Sequence, residues 1–216
     1  MNQMITNLEE FSSALKGLHL ITGVGLCSNV YVIGQKEITL VDTGVGDYVN
    51  RLAPRFHSLK LDLKNVKQVI LTHAHHDHVG GLLEIVQESQ PKIFIHRFDA
   101  GYLWKFGKIV ELNDGDNIET ETVALKVIHT PGHTAGSMCL HNQKNKILFS
   151  GDTVFPDGVF GRVDLTSSNG LKDMINSLKK LSMLDIEILL PGHEEPVYSD
   201  ANAHIKAALK VAEEYQ

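Results

Sequence analysis

The stretch VILTHAHHDHVGG, residues 69–81, constrains this chain more than any other. Four histidines and one aspartate fall within positions 73–78, directly after the apolar run at residues 69–72, which is typical of a buried strand. Imidazoles packed this closely repel one another when they are protonated near neutral pH, whereas a bound cation takes their nitrogen lone pairs. The stretch therefore predicts a metal site at the end of a strand.

The spacing of the histidines indicates which side chains share an ion. Residues two apart in an extended backbone point the same way, so His73 and His75 converge. On an α-helix the same spacing would turn them about 200° apart. Asp77 and His78 follow as a second pair after the chain turns. His76 is out of phase with His73 and His75, and we expect it to point away from the metal.

The composition limits the classes of protein to which the chain can belong. Its formal net charge is -6 and it has no basic run, which argues against a nucleic-acid or anionic-membrane partner. Its two cysteines form no CxxC motif, as in proteins of a reducing cytosol. The first residues do not resemble a signal peptide, and no apolar stretch reaches about 18 residues. We predict one domain over residues 1–216, in the cytoplasm, acting on a small molecule.

Short apolar strand patterns alternate with helical patterns along the chain. The strand patterns lie at residues 17–22, 29–34, 37–44, 66–73, 91–97, 124–130, 137–142, 146–152 and 185–193. Helical patterns cover residues 48–59, 81–89, 168–182 and 200–215, and a shorter one covers 102–107. Groups of strands followed by helices in both halves predict an α/β fold with two sheets packed face to face and helices outside.

Polar residues of one kind recur where these strands end. Besides the cluster at 73–78, Asp42, His133, Asp152 and His193 each follow a strand pattern. Each is flanked by glycine, proline or threonine, which suit tight turns that carry a side chain into a shared cleft. These five strand ends predict one assembled site.

The segments HAHHDHVGG, HTPGHTAGS, FSGDTVF and PGHEEP, in this order, resemble those of the metallo-β-lactamase fold hydrolases. The matching segments span residues 27–197. The resemblance implies a four-layer αβ/βα sandwich of two mixed sheets, with a binuclear metal site along one edge of the sheets.

Position by position, the resemblance implies ligands for two divalent ions. Three imidazoles would hold the first ion, one carboxylate and two imidazoles the second, and one carboxylate would bridge both: His73, His75 and His133; Asp77, His78 and His193; and Asp152. Imidazole and carboxylate suit zinc, with iron or manganese as alternatives. Such ions lower the pKa of water from 15.7 toward about 7, so we expect hydrolysis by a metal-bound hydroxide, with Asp77 as catalytic residue.

Three further residues are candidates for supporting roles. Asp42 matches a family position that orients the metal loop through hydrogen bonds. His129 is either another such hydrogen-bond donor or a buried strand histidine. Arg162 either contacts an anionic substrate or forms a salt bridge with Asp164.

Departures from the family patterns narrow the range of reactions that the chain is expected to catalyse. Zinc β-lactamases lack an aspartate at the position of Asp152, so we do not expect hydrolysis of β-lactams. HTPGHTAGS, FSGDTVF and GRVDL look most like glyoxalase II, which implies hydrolysis of a thioester or another acyl ester. Lactone hydrolases share the ligand set, and related persulfide dioxygenases bind one iron at the positions of His73, His133 and Asp152. A non-enzymatic metal-binding module would favour closed, cysteine-rich sites, which this sequence lacks.

Overall fold

In the computed structural model, which describes residues 5–164 and 169–215, two sheets are formed by twelve strands. The first sheet contains seven strands in chain order: β1 (Ile5–Asn7), β2 (Leu18–Ile21), β3 (Val30–Ile33), β4 (Ile38–Val41), β5 (Val66–Ile70), β6 (Lys92–His96) and β7 (Ile109–Leu112). Strands β1 to β4 pair antiparallel, and β4 to β7 pair parallel. This sheet is therefore mixed.

The second sheet is also mixed and contains five strands in chain order: β8 (Asn117–Glu119), β9 (Ala124–His129), β10 (Met138–Asn142), β11 (Ile147–Gly151) and β12 (Ile188–Pro191). Strands β8 to β11 pair antiparallel, whereas β11 and β12 pair parallel. A backbone hydrogen bond of 2.9 Å from the Met138 amide to the Thr72 carbonyl links the beginning of β10 to the segment after β5.

The main core lies between the two sheets. In β10, Met138 and Leu140 face this core, whereas Cys139 between them faces the opposite way. In β3, Tyr31 faces the same core and Val32 faces away from it. Because successive side chains of a strand point to opposite faces, a strand that is covered on both faces is apolar at most positions. That explains the continuous apolar runs in the sequence.

Helices cover the outer face of each sheet. The helices are α1 (Leu52–Ser58), α2 (His76–Val79), α3 (Leu82–Ser89), α4 (Gly170–Ser182) and α5 (Ala201–Glu214). Apolar side chains of α1 and α3 pack on the seven-stranded sheet, and those of α4 and α5 pack on the five-stranded sheet. The predicted sandwich with two mixed sheets inside and helices outside is confirmed.

The structure departs from the predicted elements mainly at the sheet edges. Strands β1, β7 and β8 were not predicted. All three are partly exposed edge strands of three or four residues, so they lack the fully buried run that marks β3, β4 and β12. Helix α1 begins only at Leu52, which puts Pro54 in the first turn, where a missing N–H costs nothing. The predicted helix at 102–107 is two 3₁₀ turns, at Ala100–Tyr102 and Trp104–Phe106.

The remaining helical patterns lie close to observed helices. The pattern at 168–182 matches α4, and its first position, Ser168, lies outside the described residues.

Among the described helices, none combines the length and the apolar character that a bilayer span requires.

Candidate metal centre

The structure brings the seven predicted ligands together where β4, β5, β9, β11 and β12 end. They form three overlapping groups, and within each group the ligand atoms lie within 4.8 Å of one another: His73, His75 and His133; His73, His78 and Asp152; and Asp77, His78 and His193. The groups share His73 and His78, so the seven side chains make one continuous cluster.

Three imidazole nitrogens face one another in the first group. Nε2 of His73 lies 3.0 Å from Nδ1 of His75, which in turn lies 2.9 Å from Nε2 of His133. The backbone of His75 is extended, with φ -67° and ψ 148°, and α2 begins only after it. His73 and His75 therefore converge because the chain stays extended past the end of β5.

Asp152 lies between the other ligands. Its Oδ1 is 3.3 Å from Nε2 of His78, while its Oδ2 is 3.4 Å from Nε2 of His133 and 3.7 Å from Nε2 of His193. On the far side, Oδ2 of Asp77 is 3.1 Å from Nε2 of His193. The two oxygens of Asp152 thus face ligands of both predicted ions.

Two atoms in this cluster indicate that the residues fit a cation. Nε2 of His78 and Oδ1 of Asp152 are buried and lie 3.3 Å apart, but neither makes a hydrogen bond of good geometry to any described residue. A buried polar atom without a well-formed hydrogen bond costs up to about 1–3 kcal/mol, which a bound cation would offset. Imidazole nitrogen and carboxylate oxygen are the ligand atoms of zinc, iron and manganese. The cluster has the chemistry to hold such ions.

The imidazoles of the cluster differ in their protonation. Burial lowers the pKa of His73 well below its usual value, and the neighbouring imidazoles lower it further, so His73 is neutral and one of its ring nitrogens is unprotonated. Burial also disfavours a charge on His78, but the carboxylates of Asp42 and Asp152 outweigh it and raise the pKa of His78 well above the usual value. A cation bound by Nε2 of His78 would take the place of this proton.

The carboxyl groups of the cluster are ionised. Burial would raise the pKa of Asp77, but its hydrogen bond with His193 and the charge of His78 lower this pKa to about 2. Burial likewise opposes the charge of Asp152, and the nearby histidines still lower the pKa of its carboxyl group. Both aspartates therefore offer negative oxygens to a cation at neutral pH.

Asp42 lies behind His78 and orients it. Its Oδ2 accepts 2.8 Å hydrogen bonds from Nδ1 of His78 and from the Thr72 hydroxyl, and its Oδ1 accepts one of 2.8 Å from the Thr72 amide. These bonds leave Nε2 of His78 to face the other ligands. The backbone of Asp42 has φ 59°, a left-handed conformation that aspartate and asparagine tolerate better than most residues.

The other predicted residues lie at the margin of the cluster. Nε2 of His129 is 2.9 Å from the Ala135 carbonyl, and its ring stacks on that of His96, so it contacts the loop after His133 and none of the ligand groups. The side chain of Arg162 is exposed, and its carbonyl accepts a 2.7 Å hydrogen bond from Nδ1 of His133. His76 is exposed on α2, outside the three groups.

Asn29 was missed by the sequence analysis although it supports the cluster. Its side-chain amide donates to the carbonyls of Pro191, at 3.2 Å, and of Glu194, at 2.9 Å, and its backbone N–H donates to the Gly192 carbonyl at 2.7 Å. These three bonds hold the loop of His193. Asn29 comes before β3, whereas the site residues were predicted from polar positions that come after strands. No signal of that kind marks Asn29.

The family model described as Metallo-beta-lactamase superfamily matches residues 23–193. The chain belongs to the metallo-β-lactamase superfamily. This metallo-β-lactamase superfamily protein is 32% identical over 173 residues to the Beta-lactamase-like protein 2 homolog of Caenorhabditis elegans, a match that covers 77% of the chain and 55% of the worm protein. It is 30% identical over 171 residues to the Atrochrysone carboxyl ACP thioesterase of Aspergillus fumigatus, covering 77% of the chain and 50% of that protein. The chain thus spans about half the length of these two relatives.

Solved structures show the same fold. A metallo-beta-lactamase family protein from Thermus thermophilus superimposes with a TM-score of 0.78 at 23% identity, covering 92% of this chain and 80% of that one. The protein TTHA1623, crystallised in a di-iron-bound form, superimposes with a TM-score of 0.67 at 26% identity, covering 89% of this chain and 96% of that one.

Proposed function

We propose that this member of the metallo-β-lactamase superfamily hydrolyses a thioester, or another acyl ester, of a small molecule at a binuclear centre, with zinc as the expected metal. The observation that carries the proposal is the position of Asp152, whose two oxygens face ligands of two separate groups at 3.3–3.7 Å. A carboxylate so placed can bridge two cations and offset part of their mutual repulsion.

Divalent ions bound there would lower the pKa of a water molecule and withdraw electrons from the acyl oxygen. The protein has to keep the ligands in place and leave the substrate a way in. His73 and His78 are buried, whereas His75 is exposed and His193 is half-buried, so the approach lies on the side of the latter two. Oδ2 of Asp77 would accept a hydrogen bond from the attacking water. Because its pKa is lowered, Asp77 is ionised at neutral pH, so it would orient that water as a hydrogen-bond acceptor.

The leaving group favours a thioester over an oxygen ester. A thiol has a pKa of about 8.5 and leaves as the thiolate without being protonated, so the reaction needs no proton donor beside it. The resemblance to the fungal ACP thioesterase supports the same substrate class. Arg162, which is exposed and whose carbonyl contacts His133, is our candidate for contact with an anionic part of the substrate.

The test combines metal analysis with a matched pair of substrates. Protein purified without added metal would be analysed for zinc, iron and manganese, and then assayed on a thioester and on the oxygen ester of the same acyl group. We expect two ions per chain and a higher kcat/KM for the thioester. A lactone and a persulfide, the latter with an oxygen electrode, test the alternatives. One iron per chain with oxygen uptake would replace the proposal with a persulfide dioxygenase, and tightly bound metal without turnover of any substrate would leave a metal-binding module.

A further inference from the structure

Asp99 is a buried carboxylate, three residues beyond the end of β6, that bonds to two different ligand loops. Its side chain accepts hydrogen bonds from the Ala74 amide at 3.0 Å, from the Thr134 hydroxyl at 2.8 Å and from the Gly136 amide at 3.0 Å. Ala74 lies between the ligands His73 and His75, and Thr134 follows the ligand His133. Asp99 is 3% exposed, so these bonds are shielded from water.

The surroundings of Asp99 require an acceptor with two oxygens. Three donors point at it from two loops, and an ionised carboxylate is the side chain that only accepts. Ser137 completes the arrangement: its Oγ accepts from the Thr134 amide at 3.0 Å and lies 2.8 Å from the Thr134 hydroxyl. If Ser137 donates its own hydrogen to the Thr134 oxygen, the Thr134 hydrogen is directed at Asp99. A Cβ on Gly136 would overlap the Asp99 carboxylate, so the loop approaches this closely because residue 136 is glycine.

The two loops belong to different sheets. The loop of His73 and His75 follows β5 of the seven-stranded sheet, and the loop of His133 joins β9 to β10 of the five-stranded sheet. The three imidazoles of the first group therefore meet only if the spacing between the ends of the two sheets is maintained. Asp99 spans this junction from a third position, after β6, and bonds to both loops.

We infer that Asp99 is a positioning residue, which clamps the loop of His73 and His75 to the loop of His133 and thereby sets the affinity of the first metal position. The inference rests on the metal centre proposed above, but it concerns ion affinity and does not depend on the substrate. Hydrogen-bonding partners behind metal ligands typically account for 10- to 100-fold in metal affinity.

The test is Asp99→Asn, which keeps the size of the side chain but places an NH₂ group against donors. We expect the variant to hold at least one zinc ion about 10- to 100-fold more weakly, measured by competition with a chromogenic chelator on protein shown to be folded by circular dichroism. The matched control is Glu121→Gln. Glu121 also accepts three hydrogen bonds, all from backbone amides and of 2.7–3.2 Å, but it is exposed and bonds the β3–β4 hairpin at the opposite end of the sandwich. We expect this control to bind zinc as the wild type does.

Thr134→Val gives a second, milder perturbation. It removes one of the three donors, so zinc should bind about three- to tenfold more weakly. Adding it to Asp99→Asn should weaken zinc binding by less than the sum of the two separate effects, because both variants act on the same hydrogen-bonded group. If Asp99→Asn does not fold, Thr134→Val alone decides. Wild-type zinc affinity in the folded variants would overturn the clamp while leaving the metal centre in place, whereas failure of the wild type itself to bind zinc would refute the proposed centre.

Discussion

Replacing Asp152 by asparagine tests the bridge between the two predicted ions. Asparagine keeps the size of aspartate, which matters because a Cβ on Gly192 would already overlap Oδ1 of Asp152. The substitution removes one negative charge from a side chain that is 10% exposed. It also replaces one of two acceptor oxygens by a donor. The expected effect is therefore electrostatic rather than steric.

The magnitude follows from the distances around Asp152. A unit positive charge 3.3 Å from Oδ1, whether the proton on Nε2 of His78 or a cation in its place, is attracted by about 5 kcal/mol at an effective dielectric constant of about 20. Relaxation and entering water recover part of this energy, and breaking a buried pair typically costs about 3–5 kcal/mol. A loss of about 3 kcal/mol corresponds to roughly 10²-fold. We expect Asp152→Asn to weaken at least one metal ion and to lower kcat/KM for acyl hydrolysis by about 10²-fold or more.

The assay is metal stoichiometry and kcat/KM of the folded variant, measured on the same preparation. Asp157→Asn is the control, because it makes the same chemical change five positions along the chain at a side chain that is 91% exposed. It should retain both ions and full activity. If Asp152 merely stabilises a turn, its replacement costs about 1 kcal/mol of stability and leaves the chemistry unchanged. Two ions and near-normal kcat/KM in Asp152→Asn would refute the bridge.

Three further predictions concern other histidines and Asp42. His76→Ala should keep the full metal content, because His76 points away from the ligands, and His75→Ala should not. Equal metal loss in both variants would contradict the predicted direction of the His76 side chain. In Asp42→Asn the asparagine can adopt the backbone φ of 59°, but it offers His78 a poorer hydrogen-bond acceptor. Competition with a chelator should therefore show about 10- to 100-fold weaker zinc binding. An unchanged affinity would exclude the orienting role of Asp42. Burial and a neighbouring imidazole lower the pKa of His96 to about 4, below about 6.5 in the unfolded chain. The unfolded chain therefore binds the proton first as the pH falls, so the stability that His96 contributes is complete above about pH 6.5 and is lost toward pH 4. Urea unfolding of His96→Phe should show about 1–2 kcal/mol less decrease in the free energy of unfolding between pH 7 and 5 than the wild type shows. An unaltered pH dependence would contradict this.

The placement of the supporting residues was less predictable than that of the ligands. Asp99 bonds to Ala74 and Gly136, which are 25 and 37 positions away, and Asn29 bonds to carbonyls 162 and 165 positions away. No pattern within a short window links such residues. His129 shows the same limit: its position at the end of β9 was apparent, but its stacking on His96, 3.9 Å between ring centres, depends on two strands from different sheets.

Local sequence patterns account for the layered α/β architecture and for which side chains gather at the site. Both follow from local rules: strand and helix periodicity, the alternation of faces that makes His73 and His75 converge, and turns that present polar residues after strands. The distances between these side chains depend on the tertiary structure. The bonds of Asp99, Asn29 and Asp42 join segments brought together by the packing of two sheets, and that packing depends on the whole core between them.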